Sequence, residues 1–479
     1  MIRGIIYFYR PAYIRTIVYM LQSSEYQVGP YLKWYWRTSD FSKVERRGQL
    51  TKTRAAKMLV YFLDLAVLIT IALGLTFIYI GVKRESAGAW PFGLALIIAY
   101  PVLWAHLIVL PIIFGRAFLV KPKNFRKLKG AEKIFAEHQG LKIAIAGSYG
   151  KTSMKELLSA VLSEGKKVAS TPANKNVPVS HAIFARSLTG DEDILIIEYG
   201  EGAPGDVRRF SLVTHPTHAV ITGLAPAHLD KYKTLKAAGD DILSVTKFVP
   251  EDHVYINQES PELKDYIKKS FNTYNSSGAL GWKTSNVKIT FDQTNFTIKN
   301  GNDSIELHSG LIGRHHLGAL VFAAALALEF GLSKDEVARG IAKTTPFEHR
   351  MQPYELNGAW VIDDTYNGNI EGIKAGTELL SELPAKRKVY VTPGLVDQGK
   401  QKKSVHIELG KLIAKAHPDL VVLMHNSVCK YIQEGLETAK FGGKVIIEKD
   451  PLSFYTGLKN FVAAGDLIVL QNDWPDQYK

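Results

Sequence analysis

The chain has 479 residues, 46% of them hydrophobic, which is enough apolar sequence to build about three folded domains. Its single cysteine, Cys429, excludes an intramolecular disulfide framework and a cysteine-rich zinc site. A formal net charge of +13 suggests an anionic partner, but the charge is concentrated near the N-terminus beside long apolar runs, which favours membrane lipid over nucleic acid.

The N-terminal part has the pattern of a membrane anchor. Residues 1–56 mix aromatic and basic side chains, as helices at a membrane interface do. Two apolar runs follow, Lys57 to Ile80 and Trp90 to Leu119, and each is long enough to cross a bilayer. Basic residues cluster outside both runs and are few in the turn between them, so the positive-inside rule puts both ends in the cytoplasm. We therefore predict an interfacial segment over 1–56 and a transmembrane helical hairpin over 57–120, although a buried, soluble helical pair stays open.

The next segment has the pattern of a phosphate-binding loop. An apolar strand over 141–146 leads into a glycine-bounded turn, and a helical pattern follows. Glycine lets backbone N–H groups approach phosphate oxygens, lysine reaches the terminal phosphates, and a threonine hydroxyl can hold Mg²⁺. Ile145 stands where the full spacing would have glycine, so the loop is a shortened version. The candidate nucleotide-binding residues of this turn are Gly147, Ser148, Gly150, Lys151, Thr152 and Ser153.

From about residue 131 onward, short strands alternate with amphipathic helices, a pattern that predicts α/β domains with parallel sheets. We place an ATP-binding domain with a parallel sheet over 131–346 and a Rossmann-like domain over 347–479. The first has predicted strands at Lys142–Ala146, Asp193–Glu198, Ala219–Thr222 and His253–Asn257, predicted helices at Lys151–Ser163, Pro178–Ser187, Leu235–Phe248 and His316–Phe330, and a β-rich insertion over Val287–Leu311. The second has predicted strands at Ala359–Asp363, Lys388–Thr392, Leu420–Leu423, Lys444–Ile447 and Asp466–Leu470.

Two polar side chains stand where predicted strands end. Glu198 closes a buried strand, at the edge where open α/β sheets bind ligands, and a carboxylate suits Mg²⁺. His228 lies at the tip of the loop that follows another strand. A lone histidine is more often structural, but beside a phosphate loop and Glu198 it is a candidate ligand of a second metal.

Several motifs occur in the order and approximate spacing of one known family. The chain resembles the Mur ligases over residues 131 to 479, and within them the D-alanyl-D-alanine-adding, MurF-type members. The latter likeness rests on Asp363–Asn369 and Thr392–Val396. The motifs that carry the family resemblance are Gly147–Ser153, Thr171–Asn174, Glu198–Gly200, Ala227–Asp230, Gly313–His315 and Asp363–Asn369.

The resemblance implies an ATP-dependent amide-bond ligase that works through an acyl phosphate and uses ATP and Mg²⁺. Its expected substrates are a muramoyl-peptide precursor of peptidoglycan and D-Ala-D-Ala, and other cell-wall synthesis proteins are further candidate partners. The expected location is the bacterial inner membrane, with the catalytic domains in the cytoplasm. The roles that it implies are catalytic for Lys151, His228 and Arg350, nucleotide-binding for Asn257, Arg350, Asp364 and Asn367, and metal-binding for Thr152, Glu198 and His228.

The chain also departs from the family pattern. A membrane hairpin takes the place of the domain that usually grips the UDP-sugar precursor. Ile242 stands where the family has a carbamylated lysine, and His316 and Ala319 replace asparagines on the adenine side. Two alternatives therefore stay open: a Mur-fold ligase for another carboxylate, of the folylpolyglutamate or polyamino-acid kind, and an ATP-binding membrane scaffold without catalysis.

Overall fold

The computed structural model of the chain describes residues 6–24, 26–41, 50–172, 178–225, 229–366, 370–395, 398 and 401–472. Two compact units make up the chain, Met1–Lys127 and Leu128–Lys479.

The first unit is helical. Two of its helices, Arg54–Lys83 and the run that starts at Ala89, are long and apolar enough to cross a membrane by length and composition. They approach closely at two glycines, because a Cβ on Gly93 would lie 2.3 Å from the carbonyl oxygen of Gly74. Small residues allow such backbone contact between membrane helices. The helices from the N-terminus are Pro11–Ser23, Val28–Arg37, Arg54–Lys83, Ala89–Leu107, Val109–Gly115 and Lys121–Glu137, with a π-helical turn at Arg116–Val120.

Tyrosines bind the short N-terminal helices to the rest of this unit. The hydroxyls of Tyr13 and Tyr35 lie 3.0 Å apart, and the Tyr31 hydroxyl donates to the carbonyl oxygen of Ala105 at 2.7 Å. All three rings are buried. These three tyrosines thus belong to a core with polar contacts inside it, and the predicted place of residues 1–56 at a lipid interface stays a prediction.

The second unit contains two sheets, and the first of them carries the phosphate loop. In this ten-stranded sheet the order is β10-β9-β8-β7-β6-β5-β4-β1-β3-β2. Strands β1 to β6 are parallel, and β6 to β10 continue as an antiparallel meander. The strands are β1 Leu141–Ala146, β2 Val168–Ser170, β3 Ile194–Glu198, β4 His218–Ile221, β5 Val254–Asn257, β6 Asn272–Asn275, β7 Gly278–Ala279, β8 Trp282–Ile289, β9 Thr294–Asn300 and β10 Asp303–Ser309.

The second sheet has six strands in the order β11-β12-β16-β13-β14-β15. Only β11 is antiparallel to its neighbour. The strands are β11 Gln352–Leu356, β12 Ala359–Asp364, β13 Arg387–Thr392, β14 Leu420–Met424, β15 Lys444–Glu448 and β16 Asp466–Gln471.

Helices pack on the faces of both sheets, and apolar strand residues form the cores. The α/β fold class is confirmed, and each strand predicted between residues 142 and 257 is found within a residue of its expected ends. One helix prediction is wrong in part, since the segment predicted as Leu235–Phe248 is α-helical only to Ile242 and then tightens into a 3₁₀ helix. The α-helices are Lys151–Leu162, Pro178–Ser187, Asp206–Thr214, Leu229–Tyr232, Leu235–Ile242, Leu317–Glu329, Lys334–Ala342, Ile370–Glu382, Lys402–Lys415, Cys429–Thr438, Pro451–Thr456 and Leu458–Phe461.

Candidate functional site

The predicted phosphate loop joins the end of β1 to the helix Lys151–Leu162. Gly147 has φ +150°, and a Cβ there would lie 2.3 Å from Thr222 Oγ1. Gly150, the residue before the helix, has φ +74°. Both positions therefore favour glycine, for the close approach at the first and for the left-handed backbone at the second.

The loop is clamped by the ends of two neighbouring strands. The Thr222 hydroxyl, just after β4, donates to the carbonyl oxygen of Tyr149 at 2.5 Å, and the Ser148 N–H donates to the carbonyl of Gly223 at 2.8 Å. At the end of β5, Asn257 Nδ2 donates to the Thr222 carbonyl at 2.9 Å. Asn257 thus supports the loop indirectly, through Thr222, and its predicted contact with adenine stays a prediction.

The loop lysine is turned back onto its own loop. Lys151 Nζ donates to the carbonyl oxygen of Gly147 at 2.5 Å and lies 2.7 Å from Glu201 Oε2. The two charged side chains are only 10% and 8% exposed. Within the described part of the chain, Glu201 is the acidic partner of this lysine.

Thr152 and Glu198 are brought together as the sequence predicts. The Thr152 hydroxyl donates to Glu198 Oε1 at 3.0 Å. The buried Lys155 lies on the other side of the carboxylate, with Nζ 3.5 Å from Glu198 Oε2, and it also donates to the Thr171 carbonyl at 2.9 Å. A hydroxyl and an ammonium therefore hold the carboxylate at the edge of the sheet.

A histidine also contacts the residue that carries this carboxylate. Burial lowers the pKa of His181 to about 4, so its ring is neutral at physiological pH. Its Nε2 contacts the backbone carbonyl oxygen of Glu198 at 2.9 Å, which requires the tautomer with hydrogen on Nε2. Nδ1 is buried and makes no hydrogen bond to any residue that the structure describes.

The residues present suit a nucleotide with Mg²⁺. Thr152 and Glu198 offer neighbouring oxygen atoms, the donor type that Mg²⁺ prefers. The Ser148 hydroxyl is buried without a hydrogen-bond partner among the described residues, so it is available to a phosphate oxygen. No group of three or more His, Cys, Asp or Glu side chains that could hold a metal occurs in the described ranges. His228 lies outside them, and the second metal site stays a prediction.

Asp364 is the last residue of β12 in the second sheet, and Arg350 lies just before β11. The Arg350 guanidinium lies 4.7 Å from the centre of the Tyr366 ring. Asp364 accepts from the N–H of Met351 at 3.2 Å and from the side-chain amide of Gln471. Burial raises the pKa of Asp364 to about 7.

Among the described residues, no hydrogen bond or ion pair joins Arg350 or Asp364 to the phosphate loop Gly147–Ser153. The part of the chain that follows β12 is nevertheless near the loop: burial raises the pKa of Tyr149, and the charge of Glu371 adds to that rise. The predicted contacts of Arg350 with the γ-phosphate and of Asp364 with the ribose remain predictions. Asn367 lies outside the described residues.

Sequence reasoning missed three side chains of the site. Lys155 lies one helical turn after Lys151, and Glu201 lies three residues after Glu198, so the spacing of like charges was the available signal. No comparable sequence pattern indicated that His181 would be buried beside Glu198. Ile242, in the position expected for a carbamylated lysine, is fully buried and packs in the core.

Comparison with known proteins identifies two matched domains. A profile described as the Mur ligase middle domain matches residues 145–327, and one described as the Mur ligase, glutamate ligase domain matches residues 349–471. A protein of Escherichia coli strain K12 named UDP-N-acetylmuramoyl-tripeptide–D-alanyl-D-alanine ligase is 26% identical over 335 residues, 68% of this chain and 72% of that protein. A Bacillus subtilis strain 168 protein of the same name is 24% identical, over 74% of this chain and 78% of its own length.

Solved structures share the fold. MurF from Acinetobacter baumannii superposes with a TM-score of 0.64 at 17% identity, covering 73% of this chain and 78% of that chain. MurF from Thermotoga maritima in complex with ADP superposes with a TM-score of 0.63 at 22% identity, covering 74% and 82%.

Proposed function

Because this chain belongs to the Mur ligase family, we propose that it is an ATP-dependent, ADP-forming ligase that adds D-Ala-D-Ala to a muramoyl-tripeptide precursor in peptidoglycan synthesis. Relatives named for this reaction match about two thirds or more of the chain. The observation that carries the proposal is the pairing of a glycine-bounded phosphate loop with the Thr152–Glu198 contact of 3.0 Å, at the carboxyl ends of the parallel strands of the ten-stranded sheet. That pairing supplies what phosphoryl transfer needs, a phosphate cradle beside a cation site.

In the first step the precursor carboxylate attacks the γ-phosphorus of ATP, the bond to the β,γ-bridging oxygen breaks, and ADP leaves. Gly147 and Gly150 give the phosphates access to the loop backbone. Lys151 supplies positive charge to the oxygens on which charge develops, once its ammonium turns from Gly147 and Glu201. Thr152 and Glu198 are the residues that would hold Mg²⁺, which when bound neutralises phosphate charge.

In the second step the amine of D-Ala-D-Ala attacks the acyl phosphate, inorganic phosphate leaves, and the nitrogen loses a proton as the amide forms. Water would hydrolyse the acyl phosphate, so the site must exclude it. Asp364 ends β12 of the second sheet, and Arg350 lies just before β11 of the same sheet. A closing movement that brings both residues to the nucleotide would serve this purpose.

The test is ADP formation by the full-length chain in detergent, with UDP-MurNAc-tripeptide and D-Ala-D-Ala together and each alone. We expect turnover only with both substrates, loss of turnover in Lys151→Ala, and full turnover in the matched control Lys343→Ala, whose lysine is 65% exposed. ATP binding without turnover would contradict these substrates and favour a lipid-linked acceptor, a ligase for another carboxylate, or the ATP-binding scaffold. Absence of ATP binding would contradict the ligase and the ATP-binding scaffold alike.

We further propose that residues 57–120 anchor the enzyme in the bacterial inner membrane, with the catalytic part in the cytoplasm. Only 22% of the apolar window of Arg54–Lys83 is buried, and side chains such as Leu65 and Leu68 are 58% and 65% exposed. A core helix of a soluble protein would bury such residues. We expect the chain to stay with membranes through alkaline carbonate washing; release into the supernatant would contradict the anchor.

The anchor suggests a lipid-linked acceptor as an alternative to a nucleotide-linked one. The comparison is between kcat/KM for a lipid-linked muramoyl-peptide and for its soluble UDP form, measured on the same detergent-solubilised enzyme. A preference for the lipid-linked form is the expected result. Equal values would count against it and leave the anchor a role in localisation alone.

A further inference from the structure

The contact between Lys151 and Glu201 has a consequence for how the nucleotide binds. Lys151 is the loop residue that must reach the phosphates, yet its Nζ already contacts Glu201 Oε2 at 2.7 Å and the Gly147 carbonyl oxygen at 2.5 Å. Both charged side chains are about nine-tenths buried. A phosphate oxygen and the Glu201 carboxylate carry the same charge and compete for the same ammonium.

Glu201 is a separate carboxylate from the one that suits Mg²⁺. Glu198 ends β3 and contacts Thr152 and Lys155, whereas Glu201 lies in the loop after it and contacts Lys151. The helix Lys151–Leu162 thus presents two lysines one turn apart, and each lies beside its own glutamate. When Lys151 turns to the phosphates, the ion pair between Lys155 and Glu198 remains. Glu201, however, is left without a neighbouring cation.

A buried carboxylate without a cation is strongly unfavourable, and a triphosphate beside it adds repulsion. We propose that Glu201 is a positioning residue for Lys151, which holds the ammonium against the loop in the resting enzyme and couples ATP binding to a divalent cation. Separating Lys151 from the Glu201 carboxylate costs little free energy only when a divalent cation binds together with the phosphates. This inference rests on the proposed ATP binding at the loop, and it names the residue that makes the binding depend on metal.

The test is the dissociation constant for ATP, measured by calorimetry on the full-length chain in detergent, with Mg²⁺ and with EDTA. The variants are Glu201→Gln, which keeps the shape and removes the charge, and Glu201→Asp, which keeps the charge. We expect wild type to bind ATP at least about tenfold more weakly in EDTA, a difference of about 1.4 kcal/mol. In Glu201→Gln that metal dependence should shrink by about tenfold, because metal-free ATP binds more tightly, while Glu201→Asp should keep most of it.

A merely structural role predicts a different result, since a disturbed loop would weaken ATP binding by the same factor with and without metal. That outcome, or an unchanged metal dependence in Glu201→Gln, would overturn the inference. Glu192→Gln is the matched control, because it removes another buried carboxylate, paired with His138 at 3.0 Å rather than with the loop lysine. If wild type binds no ATP even with Mg²⁺, the proposed function itself fails; if it binds ATP and Glu201→Gln matches it, only the role of Glu201 fails.

Discussion

Lys155 and Glu198 form a buried ion pair between the helix Lys151–Leu162 and the carboxyl end of β3, with Nζ 3.5 Å from Oε2 and side chains 0% and 2% exposed. The lysine also contacts Glu156 at 3.1 Å and the Thr171 carbonyl at 2.9 Å. A carboxylate that is to hold Mg²⁺ needs a fixed position, and these contacts supply it. Lys155 is therefore part of the support of the site, although it does not face the phosphates.

We predict that Lys155→Met lowers the free energy of unfolding by about 3–5 kcal/mol, because it leaves Glu198 buried without its cation. Denaturant unfolding of the full-length chain measures this. The control is Lys334→Met, which breaks an ion pair whose partners are 48% and 59% exposed and should cost at most about 1 kcal/mol. Equal decreases in the free energy of unfolding of the two variants would show that the buried ion pair stabilises the fold no more than the exposed one.

Gly147→Ala should weaken ATP binding, since its methyl group would lie 2.3 Å from Thr222 Oγ1 and displace the loop. A strain of about 1–3 kcal/mol corresponds to a loss of affinity of about 5- to 150-fold. The matched variant is Gly190→Ala, at φ +92° with no atom within 4 Å of the added methyl group. It carries backbone strain alone and should bind ATP like wild type, so similar ATP affinities for both variants would contradict the steric explanation.

Asp364 should make stability depend on pH. Burial raises its folded pKa to about 7 from the ordinary value of 3.8, so the folded state holds the proton more tightly than the unfolded state. The stabilisation is fully present below about pH 4 and is lost as the pH rises through about 7. Melting temperatures at pH 5 and pH 8 should therefore differ more for wild type than for Asp364→Asn. The exposed Asp292→Asn should behave like wild type, and an unchanged pH dependence in Asp364→Asn would refute the assignment.

Arg350→Ala should lower kcat by about 10²–10³, the usual effect of removing one donor to developing charge. Its guanidinium lies over the Tyr366 ring and makes no ion pair within the described ranges, so the variant should fold normally. Arg314→Ala is the control, because Arg314 pairs with Glu382 at 2.7 Å and has no proposed catalytic role. An increase in KM for ATP with unchanged kcat would instead mean that Arg350 binds the ground state and the transition state equally well.

Local patterns were enough to predict much of the fold. The apolar runs before Gly147 and before Tyr199 could be recognised as buried parallel strands, and their carboxyl ends were expected to meet at one edge. The meander was located only in part, because its first strands, β6 and β7, are short and β6 still belongs to the parallel series. Strand β11 was missed because it pairs antiparallel at the sheet edge and contains Pro353, a residue that argues against a strand.

Site residues could be predicted where a short sequence motif contains them. They were harder to predict where they depend on contacts between side chains that are distant in the sequence. Thr152 and Glu198 were expected together because both lie at strand or helix ends. The partner of Lys151 could not be expected, since Glu201 follows β3 in a loop whose path the sequence does not specify. His181 was missed for a different reason: it lies in the helix Pro178–Ser187, and its contact with the Glu198 carbonyl depends on tertiary packing that the sequence does not specify.

The contact of Gly74 with Gly93 bears on how many chains one anchor requires. Because the two long helices meet backbone to backbone, each already has a partner for its small-residue face within the same chain. If residues 57–120 are the proposed membrane anchor, a single copy therefore supplies both helices and needs none from a second chain. Attachment would then scale with the number of enzyme molecules rather than with its square, so even a cell with few copies would keep each of them at the bilayer.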